Sequence, residues 1–483
     1  MPIFKSFWVT FVLLAFASSV SADTPKPNVL FIGIDDLNDW VGCYGGHPQV
    51  STPHMDRLAE GGIRFTNAHC QAPICNPSRV SMLLGKRPST TGIYFLSPNF
   101  RNAASTENAV TIFQSFRRQG YTVSTCGKIF HHAPDPLSFD YAHPARGWRK
   151  PAKKLNYDVD GSHPSWDWGQ VDIADEKHLD AQTAQWGVEQ LQSLSASASS
   201  AKPFFLAIGF HLPHVPIYAS KRWFDLYPID QVQLPPTFQG DRDDLPEYAK
   251  LLTLNPVAPR HQWMVANEQW KPAVQAYLAS ISFIDSLVGQ LLEALQASGR
   301  HENTIVVLWS DHGFHLGEKL RWAKRTLWEE STRVPLIIAG PGVKPRTTCD
   351  ASVELLDVYP TLLKMCRLPA QDDLEGRSLT PLFDNPKSPW DRPAICTFGP
   401  SNHSLRDRRW RYTRYADGSE ELYDHASDPH EWNNLLGAEV IRPEHASIVE
   451  RMKRSMPSVN AAPAPGSKGA DSPIYDGQQE LVR

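Results

Sequence analysis

Residues 28–36 read Asn-Val-Leu-Phe-Ile-Gly-Ile-Asp-Asp, an apolar run of strand length that stops on two adjacent carboxyls. No polar side chain interrupts 29–34, so both faces of this strand need cover, as in a parallel sheet packed between helices. Further β-rich runs stand at 121–125, 204–210, 304–309 and 336–339. Amphipathic stretches separate them. Residues 53–60 follow Thr52 as a candidate N-cap and precede Gly61, and 109–119 carry Val110, Ile112, Phe113 and Phe116 before Gly120. The longest helix is expected over 272–298, where Val274, Tyr277, Leu278, Ile281 and Ile284 begin an i, i+3, i+4 stripe that Gly299 ends. Strands alternating with helices give an α/β fold, a large mixed but mostly parallel sheet sandwiched by helices.

The polar residues at the strand ends carry the functional reading. The first run ends in Asp35-Asp36, the second leads to Lys128 and His131, the third to His211 and His214, and the fourth to Asp311-His312. Ligands of open α/β sheets bind beyond the carboxyl ends of the strands, so these four ends predict one shared site. Asp35-Asp36 alone could be turn chemistry. Together with Asp311 they supply hard oxygen ligands for Ca²⁺ or Mg²⁺, and without a cation they would repel one another. Lys128, His131 and His214 could be ordinary surface groups; beside a metal they suit an anionic substrate, lysine as a point charge and histidine as a proton carrier.

Cys75 begins the run Cys-Asn-Pro-Ser-Arg at 75–79. Pro77 suits the first position of a helix, which sets Cys75 before a positive helix N-terminus with Arg79 in the first turn, able to reach an anion held there. A nucleophile in an anion cradle is one reading and a buried structural cysteine the other. The seven cysteines, 43, 70, 75, 126, 349, 366 and 396, form neither a close-spaced metal set nor a small disulfide scaffold, and their odd number leaves one free, reactive or modified, a role assigned to Cys75.

The chain has 483 residues, 41% of them hydrophobic and 21% charged, enough for a large folded core. Its 48 basic and 52 acidic residues give a formal net charge of −4 without a basic stripe, which argues against nucleic-acid binding. Residues 1–22 combine Lys5, an apolar run and Val20-Ser21-Ala22, the pattern of a secretory signal peptide; the run falls short of the about 20 apolar residues of a membrane span. A secreted or periplasmic protein without a membrane span is therefore expected. The catalytic α/β domain is placed at 23–369, a smaller antiparallel C-terminal subdomain at 370–455, and a poorly ordered tail at 456–483. The aperiodic segments 133–171 and 228–260 are expected to wall a pocket.

CNPSR followed by LLGKRPSTTGIY resembles the signature of Cys-type sulfatases, and PNVLFIGIDD, GKIFHH, FHLPHVP, SDHGFHLGEKLRWAK and ELYDHASDPHEWNNL extend the resemblance over most of the chain. The Asp311-His312 pair, the His-x-Pro-His run and Trp322-Ala323-Lys324 look most like the iduronate-2-sulfatase branch. The resemblance implies an alkaline-phosphatase-like fold and oxidation of Cys75 to formylglycine by a maturation enzyme. It implies one divalent cation, usually Ca²⁺ with Mg²⁺ an alternative, among Asp35, Asp36, Asp311, His312 and the modified Cys75. His312 rests on the branch, since Ca²⁺ prefers oxygen. Arg79, Lys128, His131, His214 and Lys324 are implied to hold sulfate and move protons, with Lys128, His214 and Lys324 against the substrate, a sulfated polysaccharide or oligosaccharide. Two rivals stand beside this reading: a phosphate or phosphonate ester hydrolase on the same fold, and a binder whose Trp148, Trp166, Trp168 and Trp263 stack on sugars. Oligomeric state and the sulfated ring position are left open.

Overall fold

In the computed structural model, which describes residues 25–159, 162–194, 202–254, 257–437 and 442–468, the Asn28–Asp35 strand sits inside an eight-stranded sheet. The expected signal peptide and residues 469–483 lie outside the described residues. Parallel neighbours flank the central strand, Phe204–Pro213 on one side and Thr304–Ser310 on the other, with Val29 opposite Phe205 and Ile305. The full order is Thr347–Cys349, Gly62–Phe65, Leu336–Ala339, Thr304–Ser310, Asn28–Asp35, Phe204–Pro213, Thr122–Gly127, Tyr141–His143. All five strands read from the sequence lie in it. Leu336–Ala339 runs antiparallel to Thr304–Ser310, because apolarity reports burial on both faces and says nothing of direction.

Alternation divides the core. Val29 and Phe31 face helices Cys75–Leu84, Ile112–Arg118 and Val358–Met365, whereas Leu30, Ile32 and Ile34 face Pro53–Glu60, Leu179–Ser193 and Trp270–Ala297. Trp270–Ala297, two residues ahead of the expected start, is long and apolar enough to cross a membrane, but most of its apolar window is buried against the sheet and the neighbouring helices. Ile112–Arg118 begins later than the apolar pattern suggests because Thr111 and Gln114 form a reciprocal capping box there.

Two glycines set the approach of strands at the future site. Gly33 has no Cβ, and one placed there would stand 2.8 Å from the Trp309 ring. Gly127 is left-handed (φ 79°), and a Cβ on it would collide with the Gly209 carbonyl, which accepts the Lys128 N–H at 2.8 Å. Past Ile34 the register shifts so that Asp35 pairs with Pro213, leaving His211 and Leu212 bulged from the ladder. Asp180 satisfies both, accepting the His211 N–H at 2.8 Å and the Leu212 N–H at 3.0 Å.

The C-terminal region forms a four-stranded antiparallel sheet, Ala394–Thr397, His403–Arg406, Trp410–Arg414 and Glu420–Asp424, covered by helix Pro443–Lys453 through Val449 and Met452. Residues 456–468 depart from the expected tail. Ala461 and Ala464 donate to the carbonyls of Ser89 and Gly92, both at 2.8 Å, and Ser97 donates to Lys468 at 3.0 Å. Backbone pairing needs no particular side chains, so composition alone does not reveal it.

The loop after the Cys75 helix is anchored by buried charge. Arg87 forks onto Glu354 at 2.6 and 2.8 Å, and Arg392 pairs with Glu354 and Asp357. Burial pushes the Glu354 carboxyl up, but Arg87 and Arg392 outweigh it and hold the group well below its ordinary range.

Two predictions follow from these contacts. In urea unfolding Gly120→Ala, at φ 87° with open space around it, pays backbone strain alone, about 1–3 kcal/mol. Gly127→Ala adds a backbone collision and costs about 1–3 kcal/mol more; equal losses would refute the crowding at Gly209. Because the folded carboxyl of Glu354 is depressed, its pairing stabilises the protein above the unfolded value and fades as pH falls through the folded one. Arg392→Gln is therefore expected to lower stability at pH 7 by about 1–3 kcal/mol and to flatten the loss of stability below pH of about 4.5.

Candidate active site

Strand ends converge beyond the carboxyl edge of the sheet. Asp35 is the last residue of the central strand, and Asp36 follows with φ 63°, a conformation costly for a residue with a side chain. Tyr277 holds that turn: its hydroxyl donates to the Asp36 carbonyl at 2.6 Å and accepts the Asn38 N–H at 3.0 Å. Ser310 Oγ accepts the Leu37 N–H at 3.0 Å and donates to the His312 carbonyl at 2.9 Å, which clamps the turns after Asp36 and Asp311 together.

Cys75 opens the helix Cys75–Leu84, two residues earlier than Pro77 suggests. Pro77 is accommodated because the first N–H groups of a helix have no helical acceptor. Cys75 is buried, its Sγ 3.3 Å from His312 Nε2, 3.5 Å from Lys324 Nζ and 3.9 Å from Lys128 Nζ, with His131 also bonded to it. Burial pushes the thiol up, but Lys128, Lys324, His312 and His131 bring it well below its ordinary value. Any anionic atom at position 75 is thus stabilised by two ammonium groups.

Arg79, one helical turn on, is engaged by protein groups. Its Nε donates to Asp311 at 2.8 Å, Nη2 to Asp35 at 3.3 Å, and Nη1 to the Lys128 and Ile129 carbonyls, while the guanidinium stands 5.4 Å from the Trp309 ring that Gly33 admits. With four of its five N–H groups on two carboxylates and two carbonyls, the guanidinium positions these groups first, and one Nη2 N–H is left over. Lys128 pairs with Asp35 and Lys324 with Asp36.

The donor set fits a hard divalent cation. Ligand atoms of Asp35, Cys75, Asp311 and His312 lie within 4.8 Å of one another, as do those of Asp35, Asp36, Cys75 and His214. Asp36 Oδ2 is buried without a hydrogen-bond partner. Burial and the nearby Asp35 raise Asp311 to about 7 despite Arg79. Burial lowers His312, but Asp311 and other negative neighbours raise it to about 9. The Asp311 shift is chiefly the cost of burying its charge and the His312 shift the pull of its negative neighbours, and a cation held among these groups would ease both. The Nδ1 of His312 faces the Gly313 carbonyl at 3.0 Å, so a proton held there would leave Nε2 available to a cation.

A cavity of about 210 Å³ opens over this cluster, lined by Asp36, Cys75, His131, His214 and Lys324. His163, Ser165 and Trp166 from the segment 133–171 and Val257 from 228–260 complete its wall. Of the tryptophans singled out in the sequence, Trp166 reaches the cavity, whereas Trp168 is buried behind Tyr157. Asp180, Tyr277 and Ser310 support the site yet carry no sequence signal; Tyr277 reads only as one apolar position of a helix. His131 Nδ1 is buried without a partner, and burial lowers that imidazole so that it stays neutral.

Comparison with known proteins accords with this geometry. The family model "Sulfatase" matches residues 27–367, and that of the C-terminal region of N-sulphoglucosamine sulphohydrolase matches 317–462. A sulfatase of Formosa agariphila is 39% identical over 457 residues, 92% of this chain and 88% of that protein. Human iduronate 2-sulfatase is 34% identical over 350 residues, 68% of this chain and 62% of that protein. Among solved structures, a 2-O glycosaminoglycan sulfatase superposes with a TM-score of 0.70 at 24% identity, covering 89% of this chain and 90% of its own, and shares the alkaline-phosphatase-like fold. With the family match spanning the strand ends, Cys75 and Lys324 alike, the chain belongs to the sulfatase family, hydrolases of sulfuric esters that generally use formylglycine and a divalent metal.

Proposed function

We propose that this protein is a secreted or periplasmic sulfatase that removes sulfate from a sulfated polysaccharide or its oligosaccharides, with formylglycine at position 75 and one Ca²⁺. The observation that carries the reading is Cys75 at a helix N-terminus, with Lys128 and Lys324 aimed at its Sγ and three buried carboxyls beside it. The names of the relatives support the substrate class, since iduronate 2-sulfatase and an ulvan-active sulfatase act on carbohydrate. The sequence pattern of 1–22 supports the compartment.

Formylglycine at position 75, made by a maturation enzyme, would add water to its aldehyde to give two hydroxyls on one carbon, the chemistry that attack on sulfur and later release of sulfate need. A cation held by Asp35, Asp36, Asp311 and His312 supplies positive charge against the sulfuryl oxygens. The chain's own groups do the rest. Lys128 and Lys324 hold the sulfuryl oxygens and stabilise the charge that develops on them. His214, at the cavity wall, protonates the departing sugar oxygen, where a general acid contributes most for a poor leaving group. His131, neutral and within reach of position 75, takes the proton of the second hydroxyl.

Host-secreted protein is expected to show formylglycine at position 75 by peptide mass spectrometry and to release sulfate from aryl sulfate and from one of a panel of sulfated sugars. Cys75→Ser should lose turnover by at least about 10³-fold and retain covalent sulfate on the serine. Full turnover without an adduct would overturn the formylglycine scheme, and equal turnover of aryl phosphate and aryl sulfate would favour the phosphorus-ester rival. Chelation should lower the melting temperature, because Asp35, Asp36 and Asp311 then repel one another, and added Ca²⁺ should restore it in proportion to its binding. A melting temperature indifferent to chelator and Ca²⁺ would contradict a resident cation.

A further inference from the structure

A second cavity, about 600 Å³, lies beside the first and is lined by Arg242, Arg260, Arg321, His261 and Trp270 among others. Helix His261–Ala266 and the segment around Leu320 form two of its walls. It shares strands of chain with the active site: Arg321 stands three residues before Lys324, and Arg260 three after Val257.

Its charge is unusual for its burial. Arg242 and Arg321 each donate Nη2 to the same Lys250 carbonyl, both at 3.2 Å, so two guanidiniums are held around one oxygen. The Nε of each is buried with no hydrogen-bond partner, and Arg321 is only 8% exposed. Among the described residues neither forms an ion pair. The nearby acids have other partners: Asp241 pairs with Lys319 at 2.7 Å, Glu247 with Lys250 at 3.9 Å, and Glu421 bonds Trp328, Tyr415 and Tyr423. Burial and the charge of Arg242 and Arg260 pull Arg321 down to about 9. Such an arrangement is costly without an anion, and guanidinium forks match the oxygens of sulfate or carboxylate. Trp270, Leu320 and Val265 add apolar surface of the kind that sugar rings pack on.

We propose that this cavity is a second oxyanion site, which takes a sulfate or carboxylate of the substrate chain at a sugar other than the one losing its sulfate. The identity of the ligand rests on the sulfatase reading above; the presence of an anion site does not. It makes the protein selective for multiply charged oligosaccharides over isolated sulfate esters.

The test compares 4-nitrophenyl sulfate, too small to span both cavities, with a tetrasaccharide carrying several sulfates. Replacing both arginines (Arg242→Gln, half-buried, with Arg321→Gln, buried) should raise KM for the tetrasaccharide roughly ten- to hundredfold, leaving kcat, and both constants for the aryl sulfate, unchanged. Arg260→Gln, at an exposed position, should raise the same KM, with its melting temperature measured alongside. Melting temperature should hold or rise in the double variant, since it removes unpaired buried charge, whereas a purely structural role would lower it. Binding to protein left unmodified at Cys75 gives a readout free of turnover, with three probes: the tetrasaccharide, its desulfated but carboxylate-bearing form, and inorganic sulfate. Tetrasaccharide binding that weakens in the variants, with inorganic sulfate far weaker throughout, supports the site; loss confined to the sulfated form assigns sulfate, and loss in both forms assigns carboxylate. Unchanged tetrasaccharide affinity, or an aryl sulfate KM that rises in parallel, overturns it. Absence of any sulfate release by the matured wild-type protein would defeat the sulfatase reading, while the binding comparison would still decide the oxyanion site.

Discussion

The bridge that Arg79 makes between Asp35 and Asp311 underlies the whole arrangement. Parallel pairing brings these carboxyls to adjacent strand ends, where burial alone would force one of them to stay protonated. A guanidinium between them, with its remaining donors on the Lys128 and Ile129 carbonyls, ties the central strand, the Thr304–Ser310 strand, the Lys128 loop and the Cys75 helix to one rigid planar group. Breaking such a buried pair costs about 3–5 kcal/mol because the surviving charges are stranded. Arg79 shares the compensation of these carboxyls with Lys128 and Lys324, and what makes the cluster fit a divalent cation is its close-set oxygen donors, with Asp36 Oδ2 buried and unpartnered.

The second requirement is that Lys324 reach the cluster from a segment with little regular structure. Within 319–325, Lys319, Leu320, Ala323 and Arg325 all have positive φ, each a conformation disfavoured for residues with a side chain. The strain is held by contacts at both ends: Arg325 donates its N–H to the Pro73 carbonyl at 3.0 Å, Lys319 reaches Asp241 and the Glu431 carbonyl, and the short His315–Leu316 and Trp322–Ala323 ladder closes the middle. Pro73 lies just before Cys75. The lysine and the nucleophile position are therefore set against each other by one backbone hydrogen bond rather than by the sheet.

The strands and their polar ends were legible because two strong regularities coincide there: uninterrupted apolarity for burial, and charged residues at the end of several runs. Asp35, Asp36, Lys128, His131, His214, Asp311 and His312 come together as that pattern suggests, and Cys75, read from its helix start, and Lys324, implied by the family resemblance, join them. The part Arg79 plays was not legible, since a sequence gives a charge but not its partners. Nor was Tyr277, whose ring belongs to the helix stripe while its hydroxyl holds the Asp36 turn. The direction of Leu336–Ala339 and the docking of 456–468 escaped for a common reason, that backbone pairing is specified by neighbours distant in sequence.

The same contrast divides chemistry from selectivity. Groups that act on the ester stand on strand ends and on the first turn of a buried helix, where packing leaves little freedom. Groups proposed to meet the rest of the substrate stand on aperiodic chain: Trp166 and Val257 at one cavity, Arg242 and Arg260 at the other. Substitution there leaves the Arg79 bridge untouched, so the pocket can change its partner without disturbing the reaction centre. The exception is the strained segment 319–325, which carries Lys324 at one end and Arg321 near the other. Arg321 and Lys324 thus share one stretch of chain while their side chains stand at separate cavities, which brings recognition close to the reaction centre without making the two the same group.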